Sequence, residues 1–129
     1  AVESSGLAGT IASSIAALAD GAGTLGVFAA LYTVTLLFTM LLSNNTAAVL
    51  LFPVAVRLAR ENQIEPLPLL LCMTIAASCE FVTPIGYQTN LMVMGPGGYK
   101  WKDYVRFGGP LTILCGLVAV PVAWLLTRL

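Results

Sequence analysis

Two short polar stretches carry the side chains of this sequence that could bind a ligand. The first is SNNT at 43–46 and the second is TPIGYQTN at 83–90. Each precedes an apolar run, so each could place hydroxyl and amide groups beside a helix N-terminus inside a membrane. In broken membrane helices, such termini favour anions and unwound carbonyl groups coordinate Na⁺ or H⁺. The pattern indicates an ion-binding site, with ordinary helix caps in a loop outside the membrane as the alternative.

The elements that carry these stretches are predicted to lie in a membrane. The sequence is 58% hydrophobic and 9% charged, and no charged residue occurs from 21 to 56 or from 107 to 127, whereas soluble domains contain about 25% charged residues. Too little polar sequence remains to cover such helices with a soluble surface. The net charge of zero argues against a nucleic-acid partner. The three widely spaced cysteines predict neither a metal site nor disulfides.

The first polar stretch is predicted to form the tip of a re-entrant helix hairpin over residues 24–60. About 33 residues separate Gly23 from Arg57, whereas two full crossings of a membrane core about 30 Å thick need about 40 residues. A hairpin that enters and leaves by the same face fits this length better than one or two full spans. The preceding residues, 1–20, are small and are predicted to be the end of a packed helix.

The second polar stretch is predicted to interrupt a transmembrane helix over residues 66–98. Pro84 removes a backbone donor and Gly86 weakens the helix, so the break is expected at 83–90 with the helix resuming at Leu91. Thr89 and Asn90 would then cap the resumed helix.

An interfacial loop at 99–107 and a final helix at 108–128 complete the predicted order. The loop sequence YKWKDYVR is amphipathic and aromatic, as is typical of a membrane surface. The predicted fold is therefore an all-α, polytopic membrane protein with a re-entrant helix hairpin and an unwound transmembrane helix, in one domain fragment over residues 1–129.

Both polar stretches resemble the divalent anion:sodium symporter family, in the citrate-transporter-like and sulfate-permease branch of the ion transporter superfamily. The first resemblance is carried by TMLLSNNTAAVLLFPVA and the second by SCEFVTPIGYQTNLMVMGPGGYKWKDYVRFGGPL. Together they cover nearly the whole chain and imply the C-terminal repeat of a two-repeat transporter.

The resemblance also implies a substrate site and a site for the coupling ion Na⁺. Substrate-binding residues carried over from the family are Ser43, Asn44, Asn45, Tyr87, Gln88, Thr89 and Asn90. Na⁺ ligands carried over are Thr39, Leu42, Asn44 and Gly86.

Three positions depart from the family pattern. Asn45 replaces a threonine of the signature, and the YQT sequence at 87–89 replaces the Thr-Pro-Pro of the dicarboxylate carriers, which argues against a dicarboxylate substrate. Glu80 stands where those carriers have a small residue. An ionisable group at membrane depth is costly and is often functional. The alternative is that Glu80 forms a structural pair with a group outside this sequence.

The predicted function is secondary active transport, in which Na⁺ drives symport of a divalent anion, with sulfate or a similar oxyanion favoured over a dicarboxylate. The alternatives are a proton-coupled or efflux carrier of the same superfamily and a non-transporting membrane scaffold subunit. No catalytic motif indicates an enzyme. The expected partners are a small anionic substrate, membrane lipid, the remaining half of the same transporter and a second copy in a homodimer. The expected location is the bacterial inner membrane.

Overall fold

The computed structural model describes residues 7–19 and 21–128, and this part of the chain is all-α. The predicted all-α class is confirmed. Residues 1–6 and Asp20, which belong to the predicted first helix end, and Leu129 lie outside the described residues. The helices are α1 Leu7–Leu18, α2 Gly23–Leu41, α3 Asn44–Glu61, α4 Pro66–Ser78, α5 Gln88–Met94, α6 Trp101–Asp103, a π-helical turn Tyr104–Gly108, and α7 Gly109–Leu126.

Two helical stretches are long and apolar enough to cross a membrane. They are Gly23–Leu41, with mean hydropathy 1.9, and Trp101–Leu126, with mean hydropathy 2.0. Their lengths of 19 and 26 residues correspond to about 28 and 39 Å at 1.5 Å per residue. Only 11% of the apolar window in Trp101–Leu126 is buried. That helix therefore presents apolar side chains outward, as a helix in contact with lipid does.

A two-residue break separates α2 from α3. Leu42 is extended and its N–H donates to the Phe38 carbonyl, 2.9 Å away, which ends α2. Ser43 is the N-cap of α3, and its hydroxyl accepts a hydrogen bond from the Thr46 N–H. Pro53 lies inside α3, which continues through it to Glu61. The predicted interruption at 43–46 contains the observed break at Ser43, but Asn44, Asn45 and Thr46 form the first turn of α3.

Helix α4 packs against α2, α3 and α7 at the centre of the structure. Its buried side chains join a core with those of α2 and α3. Because α3 and α4 are joined by only four residues, the C-terminal end of α4 returns to the α2–α3 break. The largest buried side chains of this core include Phe28, Leu31, Leu51, Leu58, Leu69 and Met73.

The second break begins four residues earlier than predicted, because α4 ends at Ser78 and α5 starts at Gln88. A proline ring clashes with the carbonyl four residues before it and offers that carbonyl no donor. Pro84 therefore disrupts the helix back to Glu80. The predicted caps are corrected accordingly. Thr89 and Asn90 lie inside α5, and the N-cap is Tyr87, which makes no side-chain capping bond.

The segment 99–107, expected to be an interfacial loop, is helical from Trp101 and runs into α7 without interruption. A π-helical turn at Tyr104–Gly108 joins the two parts. Gly108 lies at the end of this turn, and its missing side chain lets the helix approach the Phe81 backbone directly.

Candidate functional site

The side chain of Asn44 lies among oxygen atoms from three different segments. Its oxygen lies 2.8 Å from the Thr39 hydroxyl, 3.0 Å from the Ala77 carbonyl and 3.3 Å from the Gly86 carbonyl. Thr39 belongs to the last turn of α2, Ala77 to the last turn of α4, and Gly86 to the loop that follows α4. We call Thr39, Asn44, Ala77 and Gly86 the oxygen cluster.

The Ala77 carbonyl has no partner within its own helix, because helix α4 ends at Ser78. The last carbonyls of a helix have no intrahelical partner. The N–H of Phe81, which would continue the α4 ladder to Ala77, instead donates to the Thr112 hydroxyl over 3.3 Å. Thr112 in turn donates to the Cys79 carbonyl over 3.1 Å. Helix α7 thus stabilises the unwound backbone through Thr112 and leaves the Ala77 carbonyl available.

With the amide oxygen turned inward, the oxygen cluster has one hydrogen, on the Thr39 hydroxyl, which can donate either to Asn44 or to Ala77, 3.0 Å away. The opposite amide orientation satisfies these atoms without a cation, because it places an NH₂ group with two hydrogens within reach of the Thr39 hydroxyl and of the Ala77 and Gly86 carbonyls. With the amide oxygen turned inward, a cation would satisfy the same atoms. One hydroxyl, one amide oxygen and two carbonyls form the kind of oxygen set that a hard cation such as Na⁺ prefers, so these residues fit Na⁺.

Thr39 uses its hydroxyl across segments and not within its own helix. Threonines in membrane helices commonly bond back to the carbonyl four residues earlier. Thr35, one turn before, does this, with its hydroxyl 2.7 Å from the Leu31 carbonyl. Thr39 is equally buried but reaches Asn44 and Ala77. The local back-bond is therefore not the role of Thr39 in this structure.

The polar residues around the cluster form an accessible surface at the start of α3. Ser43, Asn45 and Thr46 are exposed, and the Ser43 and Thr46 hydroxyls lie 2.7 Å apart. Asn44 is half-buried between this surface and the cluster. The first turn of α3 therefore offers hydroxyl and amide groups, together with the positive end of an 18-residue helix, on one accessible side.

The second predicted stretch supplies Gly86 to the cluster and exposes the residues that follow. Gly86 is buried, whereas Tyr87, Gln88 and Thr89 are exposed. Asn90 is half-buried, and its backbone carbonyl accepts a hydrogen bond from the Tyr104 hydroxyl over 2.7 Å. The structure thus joins the two polar stretches through Asn44 and Gly86. Substrate binding by residues 87–90 stays a prediction.

Leu42 and Ala77 are the positions where the cluster differs from the predicted Na⁺ ligands. The Leu42 carbonyl is not among the atoms described around the Asn44 side chain, whereas the Ala77 carbonyl is. Sequence reasoning missed Ala77 because a carbonyl ligand has no side-chain signature. The available signal was the small residues Ala76 and Ala77 just before the break, which allow close approach of another helix.

Glu80 is buried beside the cluster. Its side chain is 1% exposed, and one carboxylate oxygen accepts a hydrogen bond from the Thr83 N–H over 2.6 Å. The other carboxylate oxygen is buried without a hydrogen-bond partner among the residues described. Helix α4 and the following loop thus hold an incompletely satisfied carboxylate next to the oxygen cluster.

A match to a known protein family agrees with the resemblance that the two polar stretches carry. The family model described as citrate transporter matches residues 1–129. The chain belongs to the citrate transporter family. This confirms the resemblance proposed from the sequence. Because the family is one of membrane transporters, it also confirms the prediction that the chain is not an enzyme.

Among the relatives of this chain is a transporter of Synechocystis. The two are 45% identical over a stretch that covers 91% of this chain and 19% of the length of the relative. It is 34% identical to a sodium/sulfate cotransporter of Chlamydomonas reinhardtii over 92% of the chain and 14% of the relative. It is 26% identical to a sodium-dependent dicarboxylate transporter of Staphylococcus saprophyticus over 97% of the chain and 24% of the relative. The chain spans about a fifth of the length of the first two curated relatives it matches.

Proposed function

We propose that this chain forms half of the ion-binding core of a Na⁺-coupled symporter for a divalent anion, with sulfate or a similar oxyanion as the substrate. The observation that carries the proposal is the oxygen cluster, in which Thr39, Asn44, Ala77 and Gly86 converge from α2, α3, α4 and the unwound loop. Such a convergence of neutral oxygen atoms suits a monovalent hard cation.

The anion is proposed to bind against the first turn of α3. Ser43, Asn45 and Thr46 present hydroxyl and amide groups there, and the helix N-terminus favours negative charge. Tyr87 and Gln88 follow Gly86 directly and would line the other side of the anion site. Asn44 belongs to both sites. This shared residue provides a physical route for coupling, because occupation of the cation site would fix the side chain that borders the anion.

The membrane position of these sites is also part of the proposal. Helices α2 and α3 would be the two arms of a re-entrant hairpin, and Cys79–Tyr87 would be the unwound part of a transmembrane helix. Irregular backbone at membrane depth is tolerated where protein buries it or where it lines a water-filled cavity. The two breaks approach each other where Asn44, directly after the first break, lies 3.3 Å from the Gly86 carbonyl in the second, and their exposed residues, Ser43 and Tyr87, would line the water-filled cavity.

The relatives include a transporter named for sulfate and a transporter named for dicarboxylates. Two observations favour sulfate as the substrate of this chain: its higher sequence identity to the sulfate transporter, and the residues of the proposed anion site. The sodium/sulfate cotransporter is 34% identical and the dicarboxylate transporter 26% identical. The sequence Tyr87-Gln88-Thr89, with two side-chain hydroxyls and one amide, also offers more hydrogen-bond donors to an oxyanion than the Thr-Pro-Pro of the dicarboxylate carriers. Both observations favour sulfate.

The rest of the transporter is expected to supply a second repeat with its own polar tips, and two copies are expected to form a homodimer. The exposed apolar side chains of α7, among them Leu117 and Val122, would contact lipid or these partners. A bacterial inner membrane is the proposed location.

The test is uptake of labelled sulfate and labelled succinate by the full-length protein in cells or proteoliposomes. We expect sulfate uptake that requires Na⁺ and fails with choline in its place. Na⁺-dependent uptake of succinate alone would move the substrate to a dicarboxylate. Uptake driven by a proton gradient without Na⁺ would favour the proton-coupled carrier. No transport of either anion, with correct insertion of the protein, would contradict the symporter and favour the scaffold.

A further inference from the structure

The carboxylate of Glu80 is an ionisable group that lies beside the proposed transport sites and has no role in them as proposed above. It is 1% exposed. Its first oxygen accepts the Thr83 N–H, and its second oxygen is buried without a hydrogen-bond partner in the part of the chain described. A buried charge is strongly unfavourable unless it is paired or neutralised. The second oxygen therefore needs a cation or a proton.

Gly86 locates this oxygen relative to the oxygen cluster. A side chain at Gly86 would collide with the second oxygen of Glu80, and its Cβ would lie 2.8 Å from the Thr39 backbone carbonyl oxygen. The Gly86 carbonyl faces Asn44 over 3.3 Å. The Glu80 carboxylate and the Thr39 carbonyl thus flank the same glycine that contributes a carbonyl to the cluster. The absence of a side chain at Gly86 leaves room for them.

A protein cation does not balance this carboxylate in the part of the chain described. The ion pair recorded there joins Arg57 and Glu61 at the exposed end of α3, with 2.7 Å between nitrogen and oxygen. Glu80 is 1% exposed in this chain alone, so its burial does not depend on a segment outside the chain. A small inorganic cation can balance a carboxylate at such a position without the ordering cost of a long side chain.

We propose that Glu80 is the charge-balancing group of the cation site, placed beside Gly86 to compensate a Na⁺ ion held by the oxygen cluster. This inference rests on the proposed function, because it assumes that the oxygen cluster binds Na⁺. It adds that the negative charge for the cation comes from the protein and not from the transported anion. The protein then supplies every charge of the cation site, and Na⁺ can bind to it in the absence of the anion.

The experiment measures Na⁺ binding to the purified full-length protein with no divalent anion present. Thermal unfolding is followed while NaCl replaces choline chloride at constant ionic strength, which gives the Na⁺ concentration for half-maximal stabilisation. Wild-type protein is expected to be stabilised by Na⁺ alone. Removing a charge several ångströms from a cation in the protein interior predicts a rise of about 10- to 100-fold in half-saturating Na⁺ for Glu80→Gln.

Two variants and one labelling measurement make the result decisive. Glu65→Gln removes the same charge from an exposed position and should leave the Na⁺ titration unchanged. Glu80→Asp keeps the negative charge but, because its side chain is one methylene shorter, places it farther from the cation. Its half-saturating Na⁺ concentration should therefore lie between those of wild type and Glu80→Gln. Modification of Glu80 by a hydrophobic carbodiimide in wild-type protein, detected by peptide mass, should be slowed by Na⁺ and not by choline. This measurement does not depend on a variant that folds.

An unshifted Na⁺ titration in folded Glu80→Gln, or carbodiimide modification that Na⁺ does not slow, would overturn the inference. A variant that keeps its Na⁺ affinity but loses the pH dependence of uptake would also overturn it and would assign a proton to the carboxylate. The proposed function fails separately, when wild-type uptake and wild-type stability are both indifferent to Na⁺. Na⁺-dependent sulfate uptake by Glu80→Gln with an unchanged Na⁺ requirement would refute only the role of Glu80.

Discussion

Replacement of Thr39 by valine would remove one oxygen from the cluster and nearly preserve the shape of the side chain. Thr39 is fully buried, and its hydroxyl lies 2.8 Å from the Asn44 oxygen and 3.0 Å from the Ala77 carbonyl. Leaving a buried polar group without its partner costs about 1–3 kcal/mol. If that cost falls on the cation-bound state, the apparent Na⁺ affinity should fall by about 5- to 150-fold.

The assay is a Na⁺ titration of labelled sulfate uptake by the full-length protein, with sulfate affinity measured separately at saturating Na⁺. Thr39→Val should raise half-saturating Na⁺ far more than it changes the sulfate requirement. Thr35→Val is a matched control, because Thr35 is also fully buried on α2 but bonds only to the Leu31 carbonyl of its own helix. A half-saturating Na⁺ concentration in Thr39→Val equal to that of Thr35→Val would refute the assignment of Thr39 to the cation site.

Two further predictions test the packing of the unwound loop and the depth of the hairpin tip. Gly108→Ala should destabilise the protein by about 1–3 kcal/mol in thermal unfolding, because a Cβ there would collide with the Phe81 backbone. Gly109→Ala, which meets open space, should change stability by less than about 0.5 kcal/mol, and equal effects of the two would contradict the close contact. Single cysteines at Asn45 and Glu65, in a background without the native cysteines, should differ in reactivity. Both positions are exposed in this chain, so slow labelling of Asn45→Cys by an impermeant maleimide would reflect depth in the assembled transporter, whereas equally fast labelling would contradict a re-entrant hairpin.

The sequence alone was sufficient for the class of protein and for the position of the first break. Long charge-free runs can be accommodated only in an apolar environment, so composition indicates membrane helices without any knowledge of packing. SNNT lies between two such runs, and a short polar segment between long apolar ones can only be a break. The family resemblance followed from the same residues. Thr39 and Asn44 were assigned as Na⁺ ligands through that resemblance, and the structure brings their side chains together.

The tertiary structure decided which atoms meet. The Ala77 carbonyl becomes available only because Thr112, 35 positions later, accepts the Phe81 N–H, and no local pattern contains that information.

The start of the second break was misplaced for a related reason. Pro84 acts on the backbone four residues before it, so the visible proline marks the middle of the break and not its start. Segment 99–107 was expected to be an interfacial loop because its sequence is amphipathic and aromatic, but it is helical from Trp101 and continues into α7. Whether a glycine ends a helix or lets it approach another backbone depends on the neighbour, and the neighbour of Gly108 is Phe81. The sequence could therefore identify the polar side chains that interrupt the apolar runs, whereas free carbonyls, close approaches and the unpaired oxygen of Glu80 exist only once the helices are packed.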